Sequence, residues 1–556
     1  MHCVRAVFGA CLVLAGAHLA VAASGGVSTT SGEIIGHPAS KRTAVTEYLG
    51  IPFAREPVGE LRFAPPLLSE KIGVINATEF VRASLNPVTS NFNNAYSSNS
   101  LSTFAYPNKT ANFDRIVGKF LGQGGVIGEN CLTLNIWSKH GAFLSLNLTE
   151  RGKPVMVFFY GGRFTIGGTN NSFYNGQYLA DSEDVVVVTV NYRTNIFGFP
   201  GAPNVTQNLG LLDQRLALEW LRSNVAAFSG DPTRITIFGQ SAGGVSVDYH
   251  SFAFANDPIA AGLISHSGTA FSFIPNTAEL AAQYWRNVTF AVGCATASGN
   301  VDEGDEEIMQ CMRGKDFTDI LEAAAQVVAV GDPKLPAAPP FQPTVDNITV
   351  FADYATMSAA GKFSKVPYLL GNLDNEAGFY RIRAVVAGLN MTDTQWSIFN
   401  LEGFTCAAAQ TAAFRATAGV HTWRYRYFGD WGNLRLYDCC PGSGAYHGSE
   451  LPMLFGTALD VSGVANGARE ERVSEMVMNA WAAFARDPSA GLRELGWPEY
   501  HAPTPGQSQG MCHSASDTLV RLAFNDEEGI SFVNPNVYDA PCAALGGNVA
   551  GAQGAF

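Results

Sequence analysis

Gly239-Gln240-Ser241-Ala242-Gly243 is the segment whose residue types and spacing point most directly to chemistry. An apolar run, Ile235-Thr-Ile-Phe238, leads into it, and Gly243-Gly244-Val245-Ser-Val247 leads out with residues small enough for a helix to leave close beside a strand. A serine on such a strand-turn-helix corner has its hydroxyl exposed at a helix start, where the backbone dipole favours developing negative charge. The flanking glycines permit the sharp turn. Because a hydroxyl is a weak nucleophile until a base takes its proton, the serine needs partners, which on this type of corner follow in the order Ser, acid, His.

His421, His447, His501 and His513 lie beyond a suitable acid. His421 belongs to Val420-His-Thr-Trp-Arg-Tyr-Arg-Tyr427, whose alternation reads as a strand that would bury the ring as packing. His447 stands in Gly442-Ser-Gly-Ala-Tyr-His-Gly-Ser-Glu450, a loop with the backbone freedom to present an imidazole, and is the candidate base. For the acid, Val366-Pro-Tyr-Leu-Leu370 reads as a strand running into Gly371-Asn-Leu-Asp-Asn-Glu376-Ala-Gly-Phe379. That order puts a carboxylate at the C-terminal edge of a sheet, where sites of this kind assemble. Asp374 and Glu376 both qualify, and composition does not separate them. A tetrahedral oxyanion also needs backbone donors. Tyr160-Gly161-Gly162-Arg163-Phe164 is a glycine turn able to aim N–H groups inward, joined by the N–H of Ala242.

The elements that must position these residues are legible as apolar runs. Val155-Met-Val-Phe-Phe159 is uninterrupted, Val185 to Val190 is broken only by Thr189, and Asn208 to Asn224 carries helical spacing through Leu211, Leu212, Ala217, Leu218 and Leu221. Alternating strands and helices of this type predict an α/β fold, with a large, mostly parallel central sheet, helices on both faces and long insertions. No repeat interrupts it. The polar stretch from Asn86 to Gly128 reads as loop, with a short helix at Ile116 to Leu121.

Only 15% of the 556 residues are charged, against ~25% in ordinary soluble domains, and the formal charge is −13. Without a Lys/Arg cluster, nucleic acid and anionic membrane surfaces are excluded as partners. The mean hydropathy of +0.06 owes part of its value to the N-terminus. There Arg5 precedes an apolar run from Ala6 to Val21 closed by Ala20-Val21-Ala22, which reads as a secretory signal peptide over residues 1–22, leaving 23–556 as a single domain. No later stretch has the length of a membrane anchor. Eight Asn-x-Ser/Thr sequons, at Asn76, Asn108, Asn147, Asn170, Asn204, Asn287, Asn347 and Asn390, predict a glycoprotein. Beyond the leader stand Cys131, Cys294, Cys311, Cys406, Cys439, Cys440, Cys512 and Cys542; an even number without Cys-x-x-Cys predicts disulfides rather than a metal site.

The chain resembles the type B carboxylesterase/lipase family, the cholinesterase-like branch of the α/β-hydrolases, in the style of its secreted fungal members. The likeness is carried by Tyr48-Leu-Gly-Ile-Pro-Phe-Ala54, Pro57-Val-Gly-Glu-Leu-Arg-Phe63, Glu129-Asn-Cys-Leu-Thr-Leu-Asn-Ile-Trp137, Asn191-Tyr-Arg193, Gly210-Leu-Leu-Asp-Gln214, Phe228-Ser-Gly-Asp-Pro232 and the Gln240-Ser-Ala-Gly corner. It implies the α/β-hydrolase fold, Ser241 as nucleophile, Glu376 as acid and His447 as base, with Gly162, Arg163 and Ala242 as oxyanion donors. It further implies Ser267 and Glu450 as a buried polar pair beneath the triad, and a disulfide between Cys294 and Cys311. The expected activity is secreted, extracellular hydrolysis of small-molecule or lipid esters through an acyl-enzyme, with no metal or organic cofactor. Two other readings belong to the same resemblance: a lipase or sterol esterase on long-chain insoluble esters, and a non-catalytic adhesion protein on the same fold. Against the second, every triad member is present.

Three positions depart from the family pattern. Arg163 stands where many relatives carry a third glycine. Cys131 lacks the earlier partner cysteine that relatives use. No tryptophan precedes Trp137, where choline-binding relatives carry one, which argues against acetylcholine as substrate.

Overall fold

A computed structural model describes residues 26–81, 106–122, 127–139, 152–296, 305–330, 338–438, 441–501 and 516–545. The expected leader at 1–22, the Asn147 sequon, Cys439, Cys440, Cys512, His513 and much of 86–128 lie outside the described residues. The described strands are β1 (Val27–Thr29), β2 (Gly32–Ile35), β3 (His37–Pro38), β4 (Val45–Pro52), β5 (Val74–Asn76), β6 (Thr133–Lys139), β7 (Lys153–Phe159), β8 (Val186–Val190), β9 (Gly230–Gln240), β10 (Gly262–His266), β11 (Tyr368–Leu373), β12 (Thr422–Tyr427), β13 (Leu519–Leu522) and β14 (Ile530–Val533). Eleven of them form one sheet in the order β14-β13-β12-β11-β10-β9-β7-β8-β6-β4-β3, and β1, β2 and β5 form a small second one.

Seven consecutive strands, β8-β7-β9-β10-β11-β12-β13, run parallel. Antiparallel strands close both margins. The apolar runs explain this centre: β7 is buried on both faces, so Met156 and Phe158 join one apolar cluster while Val155, Val157 and Phe159 join another. The first cluster takes Trp481 and Phe484 from the helix Ala468–Arg486, and the second takes Ala217, Trp220 and Leu221 from the helix Leu209–Asn224. Helices therefore cover both faces. The helices Ala278–Ala291, Asp305–Gly314 and Phe317–Ala325 pack into a separate cluster around Trp285, Phe63 and Phe197.

The helix expected at Ile116 to Leu121 spans Phe113–Phe120. One expectation is corrected: His421 is exposed, because β12 begins only at Thr422, and its ring pairs with Glu499 at 3.0 Å. Cys294 is bonded to Cys311, and Cys406 to Cys542, a pairing the spacing left open. Cys131 is buried in no disulfide. The asparagines of the seven described sequons, from Asn76 to Asn390, are all exposed. Among the described residues no helix is long and apolar enough to cross a membrane.

Candidate active site

Because β9, β11 and the strands between them are parallel, their C-terminal ends share one edge of the sheet, and each delivers a side chain there. β9 ends at Gln240, Ser241 follows at φ 58°, ψ −124°, and the helix Ala242–Ala253 begins at once. This conformation is costly for a residue with a Cβ, on the order of 1–3 kcal/mol, so the surroundings must hold it. The Ser241 N–H donates to the His266 carbonyl at 2.8 Å, and the Ser241 carbonyl accepts from Val245 N–H at 2.9 Å. The corner is also very tight. A Cβ at position 243 would lie 1.9 Å from the Phe159 carbonyl oxygen, so only glycine lets the helix pass β7.

The glycine turn after β7 lies against this corner. Gly162 (φ 116°), Arg163 (φ 58°) and Phe164 (φ 60°) take the left-handed region in succession, and the Gly162 carbonyl accepts from Thr165 N–H and Ile166 N–H, each at 3.0 Å. Ala242 opens its helix, where the first N–H groups lack intrahelical acceptors.

β11 runs into the helix Ala377–Val386, and Glu376 at that junction is fully buried. Its Oε1 accepts from the Ser267 hydroxyl and from Leu373 N–H, both at 2.7 Å, and its Oε2 lies 2.6 Å from His447 Nδ1. A carboxylate so bonded only accepts, so Nδ1 carries the proton and Nε2 presents its lone pair. Asp374 is elsewhere: its carboxylate is 44% exposed and pairs with Arg426 at 3.0 Å. The loop holding His447 is tied to the acid's loop through Asn375, whose amide donates to the Ser443 carbonyl at 3.0 Å and whose N–H donates to the Ala445 carbonyl at 3.1 Å. The rings of Tyr380 and Phe404 flank the imidazole, each at a centroid distance of 5.1 Å.

Ser241 and His447 open into one cavity of about 260 Å³, also lined by Gly161, Gly162 and Arg163. Ser267 and Glu450, expected as a buried polar pair beneath the triad, are both buried and face different partners. Ser267 supports Glu376, whereas Glu450 faces His266 Nδ1 at 3.3 Å, one layer deeper. That His266 is fully buried, with the Tyr425 hydroxyl 3.0 Å from Nδ1 and Trp481 Nε1 donating to Nε2 at 2.9 Å. Sequence reasoning missed His266, and it missed Gln240, whose amide nitrogen lies 3.0 Å from His447 Nε2. Only the position of Gln240 next to Ser241 could have flagged it. Among the described residues, no three His, Cys, Asp or Glu side chains converge as metal ligands would.

Residues 23–400 match the carboxylesterase family. A chlorogenic acid esterase of Aspergillus niger is 34% identical over 84% of this chain and 83% of its own. Secreted lipase 5 of Gibberella zeae is 30% identical over 90% of this chain and 92% of its own. Among solved structures, a thermophilic pNB esterase superposes with a TM-score of 0.69 at 24% identity, covering 95% of this chain and all of that one.

Proposed function

The chain belongs to the carboxylesterase family and is a carboxylic ester hydrolase of the α/β-hydrolase fold, and from that premise we propose that it is a secreted enzyme working through a Ser241–His447–Glu376 triad. The observation that carries the triad is the 2.6 Å contact between His447 Nδ1 and the fully buried Glu376, with His447 lining the same cavity as Ser241. Ser241 Oγ attacks the ester carbonyl while its proton passes to His447 Nε2, and Glu376 holds the tautomer and stabilises the imidazolium. The oxyanion is received by the N–H groups of Gly162, Arg163 and Ala242. His447 then protonates the leaving alcohol, and in the second half-reaction it takes a proton from the water that attacks the acyl-enzyme.

Gln240 adds a step particular to this site. Nε2 has a single lone pair, so the Gln240 amide and the Ser241 hydroxyl compete for it, and the amide must yield before proton transfer. The imidazole must be neutral to accept that proton. Ser267 steadies Glu376, and Glu450 steadies the layer below through His266. Secretion is supported by the N-terminal leader pattern, by the exposed sequons, by two disulfides and by a relative named as a secreted lipase.

Replacing Ser241 by Ala is expected to reduce hydrolysis of p-nitrophenyl esters about a millionfold, and to abolish covalent labelling by a fluorophosphonate. Near-native turnover by that variant would end the triad reading. Apolar cavity walls, with Phe120, Ile166, Phe341 and Leu451, also suit long acyl chains. A chain-length series measured below and above substrate solubility decides between esterase and lipase.

A further inference from the structure

We infer that Phe404 is a positioning residue for the base: a π-turn over Leu401–Thr405 seats its ring against His447 and keeps the imidazole from turning away from Ser241. This rests on the triad reading above and goes beyond it. Glu376 holds the imidazole at Nδ1 alone, at 2.6 Å. The contact at Nε2, from the Gln240 amide at 3.0 Å, has to be released for proton transfer. At that moment one hydrogen bond remains, and packing from the side must fix the plane of the ring. Two rings supply it: those of Tyr380 and Phe404, each with its centroid 5.1 Å from that of the imidazole and inclined to it by 52° and 54°.

Tyr380 arrives by local means, since it follows Glu376 on the helix Ala377–Val386. Phe404 needs a device. The helices Asp393–Asn400 and Cys406–Thr417 are joined by the π-turn, which Cys406 N–H closes by donating to the Leu401 carbonyl five residues back. In an α-helix, residues five apart point about 140° away from each other; the wider turn returns them to one side. Phe399 and Phe404 are so related. Their ring centroids lie 5.7 Å apart, and both pack on Tyr380, at 4.8 and 6.2 Å. Turns of this kind are rare and recur at functional sites. This one is tied at both ends. Before it, Asn400 Oδ1 accepts from the N–H of Ala377, the residue after Glu376, at 2.7 Å. At its close, the Thr405 carbonyl accepts from Arg424 Nη2 at 3.2 Å, Arg424 itself pairing with Asp539, and Cys406 is bonded to Cys542. The acid's helix and the C-terminal segment thus both hold the turn in place. With 1% of its surface exposed, Phe404 acts through His447 and not on the substrate.

The test uses Phe404→Ala and Phe404→Leu in the full chain, with p-nitrophenyl acetate as substrate. In the alanine variant kcat is expected to fall about tenfold to a hundredfold, with a smaller fall in the leucine variant. KM should stay within about twofold of wild type in both, and the rate of fluorophosphonate labelling at Ser241 should fall in step with kcat. Leucine keeps the apolar bulk, so its unfolding midpoint should stay within about 4 °C of wild type, and it decides the matter if the alanine variant does not fold. The low-field proton resonance of His447 Nδ1–H should shift or broaden in the folded variants, which a role confined to stability does not produce. A kcat within about twofold of wild type in the folded variants overturns the inference. So does a rise in KM at constant kcat, which would make Phe404 a wall of the substrate pocket, or a loss of kcat that only tracks the fraction unfolded. The triad reading fails separately, by turnover in Ser241→Ala with Phe404 intact.

Discussion

The proposed nucleophile and its proposed base are held by opposite means. The Ser241 corner is fixed by backbone packed on backbone: the helix Ala242–Ala253 passes β7 where a Cβ at Gly243 would meet the Phe159 carbonyl, and Ser241 itself is tied by main-chain bonds to His266 and Val245. The base half is fixed by side chains. Glu376 receives Ser267, Leu373 and His447, and Asn375 ties the two loops together. The difference teaches that the first half tolerates no change of shape, whereas the second can be altered one hydrogen bond at a time.

The sharpest way to probe the side-chain half is Glu376→Gln, which keeps its shape but favours the wrong imidazole tautomer. Turnover is expected to drop about 10⁴-fold with folding largely retained, as read by kcat/KM and thermal unfolding together. A comparable loss of stability would erase the contrast between the halves. On the backbone half, Gly243→Ala should destabilise by about 3 kcal/mol or more, because the added Cβ is fixed by its own backbone and the Phe159 and Tyr160 atoms it would meet are main chain that cannot rotate away; denaturant unfolding reads this directly.

Acid separates the halves again. His250, in the last turn of the corner helix, is buried with Gln214 Oε1 3.2 Å from its Nε2. Burial, reinforced by the charge of Arg215, pushes its pKa down to about 3 from 6.5. Between those values the unfolded chain binds a proton that the folded chain refuses, so stability is complete above about pH 6.5 and declines as pH falls towards 3. At pH 5 the loss from this group is roughly 2 kcal/mol. In His250→Gln, unfolding measured from pH 7 to pH 5 should show a shallower decline by that amount. The smallest expected effect is Ser267→Ala, which removes one of three partners of Glu376; about a tenfold fall in kcat with an unchanged fold would mark Ser267 as a positioning residue, and a larger loss of stability than of kcat would not.

The same division explains what could be read from sequence. The corner is a local pattern, since its strand, turn and helix are contiguous, and the apolar runs of β7, β8 and β9 announce a sheet buried on both faces. The base half is assembled from residues far apart, and there spacing alone left Asp374 and Glu376 equivalent. What distinguishes them is burial: Asp374 faces solvent and Arg426, while Glu376 is enclosed and meets His447. His266, Gln240 and the Cys406–Cys542 bond escaped for a related reason, because their roles depend on partners supplied by other segments. His421 escaped differently: alternation located its strand correctly but not the residue at which that strand begins.

The distribution of the site along the chain also imposes an order in time. His447 follows Gln240 by 207 residues, and β13, which flanks β12 in the sheet, is later still. A polypeptide made from its N-terminus can complete β7, β9 and the serine corner while the imidazole is still unmade. With His447 as base, a nascent or prematurely released chain carries a nucleophile with nothing to activate it. Synthesis itself then does the work that a removable pro-segment does in other hydrolases, keeping the enzyme inert until most of it exists.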